Sequence, residues 1–184
     1  MSDDKRYIDY YFCLNSPWVY LAQKRLEEIA SNNQATIRYF PVDLREMMLR
    51  LIGHDDPPAR SDLHKAYGKL EMQRWAKRYG LPLSEKPDYY PVSQKRAACM
   101  VAAADRFGWD PAPLVFALPR ACWAEDRDIN DWKTLTAIAE ECGFPGDVLV
   151  QAAQDSAVLE EFEDSTNRAL GRGVFGIPSY VLDG

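Results

Sequence analysis

The pattern of apolar and polar positions divides the chain into a mixed beginning, a helical middle and a mixed end. Residues 7–14 (YIDYYFCL) form a short run of aromatic and branched side chains that stops at a turn signal, which predicts a largely buried strand. Pro17 suits the first position of a helix, and we expect that helix to extend to about Ala30. A second strand is expected at residues 35–40 (ATIRYF). Together these segments predict a β-α-β unit.

The middle of the chain has the composition of a set of helices and the residues that typically end them. Each of five helical segments ends at a glycine, a proline or a charged break. These segments are residues 62–80, 93–108, 112–127, 131–143 and 145–155. Pro119 should kink or divide the third of them, because a proline removes one backbone donor from a helix.

The end of the chain complements the first β-α-β unit. An amphipathic helix is expected to start near Ser156 and to stop at Gly171 and Gly173. Residues 178–184 (PSYVLDG) are typical of a strand that enters a turn. We therefore predict a small α/β domain that is divided by a helical insertion. Its parts are residues 1–41, the insertion at 42–154 and residues 155–184.

Composition and charge exclude several classes of function. Apolar residues make up 47% of the 184, which is ample for a core. The net charge of -6 argues against a nucleic-acid partner, which requires clustered lysine and arginine. The sequence has no apolar run of membrane-spanning length, and its N-terminus lacks the order of a signal peptide. We expect a cytoplasmic protein with no membrane partner.

The four cysteines do not form a reactive pair. Cys13, Cys99, Cys122 and Cys142 are far apart in the sequence and make no CxxC motif. Because the chain has only two histidines, a zinc site of cysteine and histidine is poorly supported, and we assign no metal. We expect reduced and mostly buried thiols.

The first candidate for chemistry is the turn that carries Ser16. The N-terminus of a helix presents unpaired N–H groups and a partial positive charge, so it favours a bound anion. Ser16 adds a hydroxyl donor at this place. Taken alone, however, a Ser-Pro pair at the start of a helix is more often only a cap.

The second candidate is the stretch GVFGIPSY, at residues 173–180. Its glycines permit a close approach of the backbone to another chain or a ligand. If the Ile177–Pro178 bond is cis, a neighbouring backbone edge is left free for the main chain of a ligand. About one X-Pro bond in twenty is cis in folded proteins, so the dipeptide does not establish this by itself.

Together the two candidates give the plan of a thioredoxin fold in its DsbA-like form. In this plan SPWV (16–19) stands where DsbA-like oxidoreductases have Cys-Pro-X-Cys, and neither cysteine is present. The chain resembles the kappa-class glutathione transferases and the 2-hydroxychromene-2-carboxylate isomerases. The stretches that carry the resemblance are residues 10–22, 56–59, 89–93, 121–129 and 172–184.

The resemblance implies glutathione as the cofactor. Ser16 would hydrogen-bond the glutathione sulfur and favour its thiolate, and the helix that starts at Pro17 would help electrostatically. Ile177, just before Pro178, would pair its backbone with the cysteinyl part of the cofactor. The nucleophile would then belong to glutathione, and a homodimer is implied as well.

The resemblance also implies a conjugated aromatic acid as the small-molecule partner. In such isomerases the thiolate adds reversibly to the opened substrate, which allows rotation before elimination gives the trans product. Trp18, Tyr89 and Tyr90 are candidates for the wall of the substrate pocket, although aromatic side chains are more often core. Arg45 or Lys65 could meet the carboxylate.

Three departures from the family pattern bear on the site. Asp55 stands where the family usually has an asparagine near glutathione or substrate, and we place it at the cofactor. Ser93 is the nearest equivalent of a second family asparagine. The family also continues past Gly184 with a strand, an Asp-Arg pair that contacts the γ-glutamyl end of glutathione, and a helix. We expect those contacts to lie outside this sequence.

The main hypothesis is a glutathione-dependent isomerase or a closely related transferase. One alternative keeps the fold and changes the chemistry to thiol-disulfide exchange, which the missing CxxC disfavours because Cys13 lies on the strand side of the turn. A second alternative is a binding protein that keeps the glutathione groove without turnover.

Overall fold

The computed structural model of the protein describes residues 6–53 and 61–182. Within these ranges the chain forms three strands and eight helices. In chain order they are β1 (Arg6–Phe12), α1 (Pro17–Asn32), β2 (Ala35–Pro41), α2 (Leu44–Ile52), α3 (Asp62–Tyr79), α4 (Lys95–Arg106), α5 (Ala112–Ala124), α6 (Trp132–Glu141), α7 (Gly146–Ala152), α8 (Ser156–Gly171) and β3 (Ser179–Leu182).

The described strands form one sheet with β1 in the centre. β1 runs parallel to β2, in a register that ends with Phe12 opposite Pro41. On its other side β1 pairs antiparallel with β3, where Tyr11 lies opposite Ser179. The start of β3 therefore lies beside the end of β1, and the residues that follow β1 are brought near those that precede β3.

Alternate residues of β1 serve two hydrophobic layers, as the two-residue period of a strand requires. Tyr10 and Phe12 are fully buried in the main core, where their rings stack with centroids 4.7 Å apart. Tyr11 faces a second, smaller cluster, which includes Met47 from α2 and Ala169 from α8. Helices thus cover both faces of the central strand, which explains why its run of apolar residues is nearly continuous.

The helical insertion shares its core with the sheet. The main cluster of buried side chains joins β1 and α1 to residues such as Ala97 of α4, Leu118 of α5 and Leu149 of α7. By contrast, α3 contributes Ala76 as its one buried residue and leaves most of its surface exposed. No helix in the described ranges is both long and apolar enough to cross a membrane.

The observed elements follow the predicted ones, with ends that shift by up to three residues, and three particular differences stand out. β1 ends at Phe12, so that Cys13 and Leu14 belong to the turn. α2 was not expected from the sequence, and Asp43 caps this short helix by accepting a hydrogen bond from the Glu46 N–H. α5 continues across Pro119 without being divided, because buried side chains hold the helix on both sides of the proline.

Candidate functional site

The turn between β1 and α1 places a buried serine at the start of a long helix. Ser16 is 7% exposed and occupies the N-cap position in an extended conformation, with φ -92° and ψ 128°. Its backbone N–H donates to the carbonyl of Cys13 at 3.3 Å. The hydroxyl makes no capping bond to α1, in contrast to the cap expected from the sequence. The Ser16 hydroxyl therefore makes no hydrogen bond to the helix that it precedes.

The electrostatics of this turn favour an anion. α1 is 16 residues long, and its first turn contains no acidic side chain that could neutralise the positive end of the helix dipole. Pro17 at the first helical position has no N–H, which leaves the free donors of the next residues and the Ser16 hydroxyl at this end. A thiolate or a carboxylate bound here would be stabilised.

Three hydrogen bonds with the helical insertion fix the position of the residues just before Ser16. The Leu14 N–H donates to Gln94 Oε1 at 2.6 Å. The Asn15 side chain donates through Nδ2 to the Val92 carbonyl at 2.9 Å, and the Asn15 carbonyl accepts from Trp123 Nε1 at 3.1 Å. The position of the turn thus depends on residues that are about 80 and 108 positions away along the chain.

The Ile177–Pro178 peptide bond is cis, which meets the condition set in the sequence analysis. β3 begins directly afterwards, at Ser179. Within the described ranges, the backbone N–H and carbonyl of Ile177 have no hydrogen-bond partner. A peptide-like ligand could therefore pair with this residue.

An apolar groove of about 290 Å³ adjoins the turn. Its lining is formed by Trp18, Leu21 and Ala22 of α1, Trp75 and Tyr79 of α3, and Pro178, the residue before β3. The rings of Trp75 and Tyr79 stack with centroids 5.5 Å apart and an interplanar angle of 24°. Because Trp18 and Pro178 line the same groove, the start of α1 and the start of β3 meet there.

Comparison with known proteins agrees with this architecture. The family model of the DSBA-like thioredoxin domain matches residues 7–184. The 2-hydroxychromene-2-carboxylate isomerase of Sphingobium xenophagum is 31% identical over 96% of this chain and 88% of its own length. The chain belongs to the 2-hydroxychromene-2-carboxylate isomerase family, within the DsbA-like thioredoxin domains. The expected fold class and the resemblance are thereby confirmed.

Two further relatives of this isomerase-family protein are similar over nearly all of it. The 2-hydroxychromene-2-carboxylate isomerase of Pseudomonas putida is 31% identical over 95% of the chain and 84% of its own length. A solved structure of a 2-hydroxychromene-2-carboxylate isomerase superposes with a TM-score of 0.79 at 29% identity, covering 96% of this chain and 85% of that one.

The groove contains one of the three aromatic residues that the sequence analysis placed at the substrate. Trp18 lines it, whereas Tyr89 and Tyr90 lie in the connection between α3 and α4, outside the lining. The Tyr90 ring packs 4.7 Å from Trp123, which also holds Asn15. This connection therefore flanks the turn, and substrate contact by the two tyrosines stays a prediction.

Sequence reasoning missed the aromatic pair of α3. Trp75 and Tyr79 are four residues apart and thus share one face of the helix, and both are about two-fifths exposed. This spacing was a usable signal. The sequence could not indicate that this face of α3 lies beside α1.

The remaining candidates are exposed side chains or lie outside the described ranges. Arg45 is exposed on α2, and Lys65 on α3 pairs with Asp62 at 3.2 Å. Ser93 is exposed, and its hydroxyl accepts from the Lys95 N–H. The predicted site residue Asp55 and the stretch 56–59 lie outside the residues that the structure describes.

The four cysteines are free, and three of them are buried, whereas Cys142 is half-buried. Burial raises the pKa of the Cys13 thiol to about 12, although a hydrogen bond from the Asn15 backbone acts in the opposite direction. Burial also raises the pKa of Cys122 to about 12, with nearby Asp126 and Asp128 adding to the effect. Neither thiol is suited to act as a nucleophile near neutral pH.

We expect Ser16→Ala to leave the free energy of unfolding within about 0.5 kcal/mol of the wild type, because the hydroxyl does not cap α1. Asp155→Ala is the matched control, since Asp155 accepts from the Ala157 N–H at the start of α8, which is also 16 residues long. That change should cost about 1 kcal/mol. Urea unfolding measures the free energy of unfolding of both variants. An equal loss in the two would show that the Ser16 hydroxyl does cap α1.

We expect Cys13 to resist alkylation in the folded protein. With a pKa near 12, only about one thiol in ten thousand is ionised at pH 8. Mass spectrometry after iodoacetamide treatment should show half-buried Cys142 labelled well before Cys13, and equal labelling in urea. Preferential labelling of native Cys13 would show that its thiolate is accessible.

Proposed function

We propose that the protein is a glutathione-dependent isomerase that acts on a conjugated aromatic acid of the 2-hydroxychromene-2-carboxylate type. The observation that carries the proposal is the uncommitted hydroxyl of Ser16, which lies at the positive end of α1. Relatives with this enzyme name match nearly the whole chain and support the reaction class.

The residues at the turn fit a tripeptide thiol. Ser16 supplies a hydroxyl donor for a sulfur, and the N-terminus of α1 favours the anionic form. The backbone of Ile177 has a free donor and a free acceptor for a peptide, and Pro178 directs the chain into β3 directly after it. Because positions 16 and 19 are serine and valine, the protein has no thiol of its own at the start of α1, and the nearby Cys13 is buried.

When bound, glutathione supplies a thiolate that adds reversibly to a conjugated double bond. The part of Ser16 is to hold that sulfur and to stabilise its charge by donating a hydrogen bond. The positive end of α1 acts in the same direction. Lowering the thiol pKa by one unit corresponds to about 1.4 kcal/mol and raises the reactive fraction near neutrality almost tenfold.

The groove beside the turn suits the aromatic part of the substrate. Its volume of about 290 Å³ is just below the usual range of small-molecule sites, which begins near 300 Å³. Trp18, Trp75 and Tyr79 provide ring faces and edges against which an aromatic acid can pack. We therefore expect a substrate of one or two fused rings.

Glutathione titration by calorimetry tests the cofactor. We expect wild-type protein and Ser16→Ala to bind glutathione, with the thiolate absorbance of the complex reduced in the variant. Loss of one hydrogen bond to a charged group should lower kcat about 10- to 100-fold. No binding by the wild type would refute the role of glutathione. Binding without turnover of a 2-hydroxychromene-2-carboxylate would favour the binding-protein alternative.

The groove assignment is tested by Tyr79→Ala, with Tyr67→Ala on the same helix as the control. Tyr67 is 56% exposed and is absent from the groove lining. An aromatic contact contributes about 0.5–1.5 kcal/mol beyond burial, so the KM for the aromatic acid should rise about 3- to 10-fold in the Tyr79 variant. The affinity for glutathione should stay unchanged. An equal rise in the KM for the acid in both variants would show that the substrate does not bind in this groove.

A further inference from the structure

The parallel ladder between β1 and β2 is interrupted where the chain leaves for the turn. The last paired residues are Phe12 and Pro41, and the Val42 N–H adds one more bond to the Phe12 carbonyl at 2.8 Å. In a regular parallel ladder, the next bond would join the Leu14 N–H to the Val42 carbonyl. This bond is absent between the two described residues.

The side chain of Gln94 takes the place of the missing bond. Its Oε1 accepts from the Leu14 N–H at 2.6 Å, and its Nε2 donates to the Val42 carbonyl at 2.6 Å. The orientation of the carboxamide is fixed by its partners, because a backbone N–H can only donate and a carbonyl can only accept. One side-chain amide thus satisfies both backbone groups and keeps the two strands apart.

Gln94 is held firmly enough to fix the positions of Leu14 and Val42. It is 8% exposed and immediately precedes α4, where its own carbonyl accepts from the Ala98 N–H at 2.8 Å. Two residues earlier, Val92 accepts from the Asn15 side chain. The residues just before α4 therefore hydrogen-bond both Leu14 and Asn15, which directly precede Ser16.

We propose that Gln94 is a positioning residue for the Ser16 hydroxyl. Its carboxamide separates β1 from the end of β2, which fixes the direction in which the chain enters the turn and thus where the hydroxyl meets a bound sulfur. This inference rests on the proposed function. A misplacement of about 1 Å at a reacting centre can cost roughly 100-fold in rate.

Gln94→Met tests the proposal, because methionine has a similar length but cannot donate to the Val42 carbonyl and offers the Leu14 N–H only a weak sulfur acceptor. Gln23→Met is the matched control, since Gln23 is a fully buried glutamine of α1 that donates to Glu27 at 2.8 Å. We expect kcat for the glutathione-dependent reaction to fall about 10- to 100-fold in the Gln94 variant, with little change in the KM for the acid. The control should keep its kcat. Unchanged kcat in folded Gln94→Met would overturn the proposal.

Nuclear magnetic resonance separates this inference from the proposed function. In Gln94→Met, the Leu14 amide should exchange with solvent at least about tenfold faster, and the Asn15 and Ser16 amide shifts should move, whereas Gln23→Met leaves them unchanged. These changes support the positioning role even where glutathione proves not to be the cofactor. Unaltered shifts would overturn it.

A wild-type measurement covers the case in which Gln94→Met does not fold. The side-chain amide protons of Gln94 should then exchange slowly, as expected for a buried carboxamide that bonds to the Val42 carbonyl. Exchange as fast as that of an exposed glutamine would show that the bonds are not made.

Discussion

The antiparallel register between β3 and β1 determines where the site can form. With Tyr11 opposite Ser179, the residues that follow β1 lie beside those that precede β3. Ser16 is reached four residues after the end of β1, and Pro178 stands directly before β3. Two segments separated by most of the chain therefore meet at one end of the sheet. A slip of this register by one residue would exchange the two faces of β3 and separate these partners.

The helical insertion does more than fill the space between the two halves of the sheet domain. The residues just before α4 and Trp123 of α5 supply the groups that hold Leu14 and Asn15, and α3 supplies one wall of the groove. The site thus belongs to both parts, which also share one hydrophobic core.

The sequence was sufficient for features that depend on neighbouring residues. The buried strand, the proline that starts α1 and the X-Pro before β3 are local signals, and they pointed to Ser16 and Pro178. Contacts that depend on how helices dock were out of reach. Gln94 bonds to partners 80 and 52 positions away, and no periodic pattern announces such a bridge. The nine-residue helix α2 was not among the predicted elements.

The shielding of the cysteines has a consequence for how such a protein responds to oxidative stress. A DsbA-like enzyme with a reactive cysteine at the start of α1 changes its own state whenever that sulfur is oxidised. Here the equivalent position is a serine, and burial raises the pKa of Cys13, Cys99, Cys122 and Cys142. If the reacting thiol comes from glutathione, an oxidant that acts on the supply of that thiol leaves the residues at the start of α1 unchanged. Activity would then recover as soon as the reduced pool is restored, without repair of the enzyme.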